Sequence, residues 1–126
     1  VLILTMPWPI LKPLSPNWRG HWAQKAKAKR QLREAWFYQA LEQGAQKIKA
    51  DALTVSLEFH MPDKRARDLD NLLASCKAGL DGLADALGVD DSKWSLSICK
   101  APTHGGFVRV TVVEGAVRVL KSLEAT

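Results

Sequence analysis

Leu53 to His60, LTVSLEFH, sets apolar Leu53, Val55, Leu57 and Phe59 against polar Thr54, Ser56, Glu58 and His60 in strict alternation. That is the period of a strand with one buried face. From Asn71 to Leu87 the period becomes helical, with Leu72, Cys76, Leu80, Leu83 and Leu87 on one stripe and Gly88 as the stop. A one-faced strand joined to a one-striped helix must pack the two apolar surfaces together, so the chain needs a sheet with helices laid on it. VLILT (Val1 to Thr5) reads as a further buried strand halted by Pro7 and Pro9, and Ile10 to Gly20 as an extended loop. A helix is predicted from His21 to about Gln43, ending at Gly44, with Trp22, Leu32, Trp36 and Leu41 inward and its lysines outward. WSLSICKA (Trp94 to Ala101) and FVRVTVVE (Phe107 to Glu114) alternate again, joined by PTHGG as a hairpin-type loop.

The expected order is β-α-β-α-β-β: an α+β fold with a mixed sheet of about four strands and two main helices. With 126 residues, 47% of them hydrophobic, the chain suffices for one core, hence one domain over 1–126, with 115–126 a weak amphipathic helix or frayed tail. The two cysteines, Cys76 and Cys99, lack zinc-site spacing and read as small core residues. No apolar run approaches the roughly 20 residues of a membrane helix. The start VLILTMPWP carries neither a basic leader nor a cleavage site, so a cytoplasmic protein without membrane partners is expected. The net charge of +5 favours an acidic partner, most commonly nucleic acid.

The chemistry concentrates in HMPDKRARDLDNLL, His60 to Leu73, where Lys64, Arg65 and Arg67 precede Asp68 and Asp70. In an extended segment, Asp68 and Asp70 project from one side of the chain, within about 7 Å of each other. Hard divalent cations take such oxygen donors, and Asp90 or Asp91, in the loop after the helix, would supply a third if the following strand returns beside the start of the helix. The alternative role is structural, because Asp70 or Asn71 makes a good helix N-cap. On the helical wheel Asp70, Lys77 and Asp81 fall within about 40° along one margin of the apolar stripe. Lys77 and Asp81 stand at i, i+4, where a surface ion pair is the simple alternative to a lysine reaching towards phosphate. His21, His60 and His104 are too irregularly spaced for a metal triad, and His60 reads as a hydrogen-bonded structural histidine.

RDLDNL after a basic run, continuing through KAGLDGL to the DDS of Asp90 to Ser92, resembles the RusA-like Holliday junction resolvases, small dimeric endonucleases common in prophages. PWP (Pro7 to Pro9), SPNWR (Ser15 to Arg19) and Gly105-Gly106 look similar as well. The resemblance implies a homodimer that resolves four-way DNA junctions by paired symmetric nicks in recombination and repair. It implies Mg²⁺, with Mn²⁺ as a substitute, and no small-molecule cofactor. By motif position Asp68, Asp70 and Asp91 correspond to the metal-binding aspartates, with Asp90 beside them. The family's lysine falls four residues after the second aspartate, where this chain has Ala74; Lys77, one turn on, is the candidate replacement. Together Asp68, Asp70, Asp91 and Lys77 form the expected catalytic set.

Phosphate contacts fall to Lys64, Arg65 and Arg67, with Arg19, Lys25, Lys27, Lys29 and Arg30 further out. Trp18 and Trp22, flanking Arg19, are candidates to stack on unpaired bases, against a core role for Trp22. Two other functions remain in view. One is a branched-DNA-binding protein with an impaired site, signalled by Ala74. The other is a DxD sugar-nucleotide transferase, which the short chain and missing glycine-rich phosphate loop disfavour.

Overall fold

The computed structural model describes residues 1–9, 11–16 and 18–115. The expected tail therefore lies outside the described residues, apart from Gly115. The elements run β1 (Leu2–Pro7), α1 (Leu11–Leu14), α2 (Trp22–Glu42), β2 (Leu53–His60), α3 (Leu69–Ser75), α4 (Lys77–Leu87), a 3-10 turn (Asp91–Lys93), β3 (Trp94–Lys100) and β4 (Phe107–Glu114). This is an α+β fold in the expected order of main elements. The short helix α1 interrupts what the prolines suggested was an extended loop, and β1 runs on to Pro7. An edge strand tolerates proline at its end, where no ladder donor is missed.

The sheet order is β1-β4-β2-β3. β4 lies antiparallel to both β1 and β2, whereas β3 runs parallel to β2. β3 and β4 therefore do not form the expected hairpin; they flank β2 on opposite sides. The joining loop passes over the end of β2, with Ala101 N–H donating to Phe59 O, Gly105 N–H to Met61 O and Gly106 N–H to His60 O. Gly106 takes φ +73°, which residues with a side chain rarely adopt. The parallel β2/β3 pair requires a crossover, and α3 with α4 supplies it.

One sheet face is apolar: Leu4, Met6, Leu53, Val55, Leu57, Phe59, Val108, Val110 and Val112 are all buried. Ala28, Leu32, Trp36 and Ala40 of α2, and Leu72, Cys76, Leu80, Leu83 and Leu87 of the crossover, share that core. The other face carries Thr54, Ser56, Glu58, Arg109 and Thr111, the polar half of the alternation. Three expected core positions differ. Trp22 is 75% and Leu41 42% exposed, and Cys99 is exposed on edge strand β3. His60 is buried instead, held between Glu58 (Nε2 to Oε1, 2.7 Å) and Thr103 (Nδ1 to Oγ1, 3.0 Å), and stacked on Phe107. It is the hydrogen-bonded structural histidine expected.

The single helix expected over Asn71–Leu87 is two segments meeting at Cys76. The Ser75 hydroxyl donates to Asn71 O at 2.8 Å, a back-bond that bends helices. Helix α4 then crosses close to α2. A Cβ on Gly82 would stand 2.1 Å from the Arg33 carbonyl oxygen, so glycine sets how near the two backbones come.

Candidate active site

Helix α3 begins at Leu69, so Asp68 and Asp70 do not lie on one extended segment as the DxD spacing suggested. Asp68 is the N-cap residue, in extended backbone (φ −80°, ψ 135°), and Asp70 sits in the first helical turn. Capping falls to Asp68 rather than to Asp70 or Asn71, yet its side chain makes no capping hydrogen bond. Both carboxylates are exposed.

The two face different hollows. Asp70 lines a groove of about 670 Å³ together with Lys77, Asp81, Asp91, Lys25 and Lys29. Leu73, Leu80, Trp94 and Leu96 give that groove an apolar floor. Asp68 lines a smaller hollow of about 280 Å³ with Arg67 and Asn71, and Ser75 is common to both. Among the described residues, no three His, Cys, Asp or Glu side chains converge as a ready metal site. The donors nevertheless suit a hard divalent cation in kind: Asp70 and Asp91 are carboxylates opening on one groove, and Asp70 has no ion-pair partner among the described residues.

Lys77 is the hub of the groove. Its ammonium bonds Asp81 at 3.1 Å, the i, i+4 pair visible in the sequence, and also Asp91, fourteen residues away. Asp91 above all, with Asp81 helping, holds the Lys77 pKa above its ordinary 10.5. At neutral pH Lys77 is therefore a fixed positive charge and no proton acceptor. The neighbouring Asp90 turns away. It accepts from the Ser92 hydroxyl and backbone N–H, which keep it below the usual carboxylate range, and it faces a different depression beside Lys47 and Asp85.

The basic residues divide the same way. Arg67, expected on DNA, has a side chain only 11% exposed: its guanidinium donates to Asp63 at 2.8 Å and lies over the Trp8 ring at 5.9 Å. Asp63 to Arg67 is a non-helical loop, so their i, i+4 spacing gave no sequence signal for this structural use. Arg65 reaches Asp63 only at 3.8 Å and, with Lys64 and Arg19, stays exposed. Lys25 and Lys29, which the sequence placed only as outlying help, stand on the groove wall, Lys25 touching Ser15 O at 3.4 Å. What sequence reading could not find was the contact of Lys77 with Asp91, which exists only because the crossover returns α4 beside the start of β3.

No family model matches the chain. Over 114 residues it is 40% identical to an uncharacterized protein of Xylella fastidiosa, covering 86% of this chain and 74% of that one. Over 63 residues it is 41% identical to the crossover junction endodeoxyribonuclease RusA of Escherichia coli K12 and to that of Enterobacteria phage 82. Those alignments span 48% of this chain and 50% of either relative. The chain thus belongs to one family with the Xylella protein, and over about half its length it is similar to the RusA crossover junction endodeoxyribonucleases.

Proposed function

We propose that the chain is a magnesium-dependent endonuclease that resolves four-way DNA junctions, acting as a homodimer in the cytoplasm. One observation carries the reading: a single groove joins Asp70, Asp91 and Lys77 to the lysines Lys25 and Lys29. The partial similarity to RusA crossover junction endodeoxyribonucleases supports a DNA junction as the substrate. A nuclease must hold a polyanion and bring positive charge to one phosphate, and this groove has both kinds of group within it.

Lys25 and Lys29 bind the backbone through its phosphates and carry no base information. Lys77, charged at every working pH, offsets the charge that builds on the scissile phosphate as it is attacked. Asp81, bonded to Lys77, positions it. Asp70 and Asp91, which open on this groove, would hold Mg²⁺, which when bound would supply polarisation of the phosphate and an activated water. A junction offers two equivalent strands about a two-fold axis, and a C2 dimer presents two equivalent sites to them.

The test is a labelled four-way junction beside a matched linear duplex, incubated with Mg²⁺ or EDTA. Paired symmetric nicks on the junction alone, absent in EDTA and in Asp70→Asn, are expected. Lys77→Ala should cut about a hundredfold more slowly while still binding the junction. Junction binding with no cut under Mg²⁺ or Mn²⁺ would sink the nuclease assignment in favour of a branched-DNA-binding protein. The tie of Lys77 to both Asp81 and Asp91 is the observation that favours this second reading.

A further inference from the structure

Trp22 keeps 75% of its surface in solvent, an unusual placement for the largest apolar side chain. It begins α2, and at about 100° per residue it shares one face of that helix with Lys25 and Lys29, about 60° and 20° away. Further along, the same side of the helix carries the buried Leu32, Trp36 and Ala40, about 80°, 40° and 0° from Trp22. The inward face of α2 thus continues past the end of the core, exchanging core residues for two lysines that line the groove and, beyond them, an indole. Trp22 is also held in place. His21, the N-cap, accepts the Ala23 N–H on Nδ1 at 3.1 Å, and its ring lies 5.8 Å from the Trp22 ring at 24°.

We infer that Trp22 is a stacking platform for an unpaired DNA base, placed at the end of the Lys25 and Lys29 phosphate line; the inference rests on the DNA-acting reading above. An aromatic face beside a row of cations is what single-stranded binding requires, one part taking the base and the other the backbone. Stacking on neighbouring base pairs within a duplex hides the base faces, so Trp22 discriminates for unpaired positions. Tyr38, 60% exposed on the same helix, does not share the role. It projects from the opposite side of α2, one turn from Glu34, whose charge repels a phosphate backbone.

The test compares a short single strand with its matched duplex, each carrying 2-aminopurine, titrated in EDTA with wild type, Trp22→Ala, Trp22→Phe and Lys29→Ala. Wild type should quench 2-aminopurine in the single strand. Trp22→Ala should lose the quenching and bind the single strand about tenfold more weakly, with duplex affinity and melting temperature unchanged. Trp22→Phe should keep most of the binding, and Lys29→Ala should weaken single strand and duplex alike. Single-strand binding by Trp22→Ala equal to wild type, or an equal loss on the duplex, would overturn the stacking role and leave the DNA-acting reading standing. Wild type binding neither DNA would overturn the stacking role, and failure to bind the four-way junction as well would overturn both.

Discussion

At the scale of single residues, the charged cluster after β2 has two functions that its composition does not separate. Arg67 and Asp63 hold the loop together, whereas Asp70, Lys77 and Asp91 open on the groove. Arg67, with help from the Arg65 N–H, lowers the Asp63 pKa from 3.8 to about 2. A carboxyl whose folded pKa is depressed contributes its stability in full above the unfolded value and loses it as pH falls to the folded one. Wild type should therefore lose this contribution between about pH 4 and pH 2. Acid unfolding followed by circular dichroism should show Asp63→Asn less stable than wild type at pH 7 and closer to it at pH 2. An unchanged difference across that range would remove the Arg67 pairing as its cause.

At the scale of elements, the path from β2 to β3 decides where the site can form. Its apolar stripe was visible as one helical pattern, and every residue of that stripe is buried. The break at Cys76 was not visible, because it depends on a serine hydroxyl choosing a backbone carbonyl within its own turn. The approach of α4 to α2 depends on Gly82, although glycine inside a helix costs about 1 kcal/mol relative to alanine. Gly82→Ala should nonetheless destabilise the protein, by about 1–3 kcal/mol, since the added methyl meets the Arg33 carbonyl and the backbones must part. Denaturant unfolding checks it, and a gain in stability would mean that helix propensity outweighs the contact. Because Arg33 also bridges to Asp85 of α4 at 2.7 Å, the variant should loosen that ion pair as well.

At the scale of the whole molecule, the described helices pack on the apolar face of the sheet, and the chain has two kinds of thiol. Cys76 is within the shared core, where burial pushes its pKa up to about 12, while Cys99 is exposed on the edge strand. One thiol per chain should react at once with a thiol reagent at pH 8, and Cys99→Ser should abolish that fast phase. The second should react only as fast as the chain unfolds; prompt labelling of Cys76 would show that the crossover opens without the sheet. The sequence by itself determined the strands, the long helix α2 and the apolar stripe of the crossover, because the period of 2 or 3.6 is a local property of the backbone. It also determined the Lys77–Asp81 pair, for the same reason. Only the tertiary structure decided that β3 lies parallel to β2, that Asp91 rather than Asp90 meets Lys77, and that Asp68 opens on a different hollow from Asp70. It also decided that Trp22, on the correct face of its helix, lies beyond the core and stays in solvent. Periodicity says which way a side chain points along its own element, whereas what it meets depends on where distant segments return.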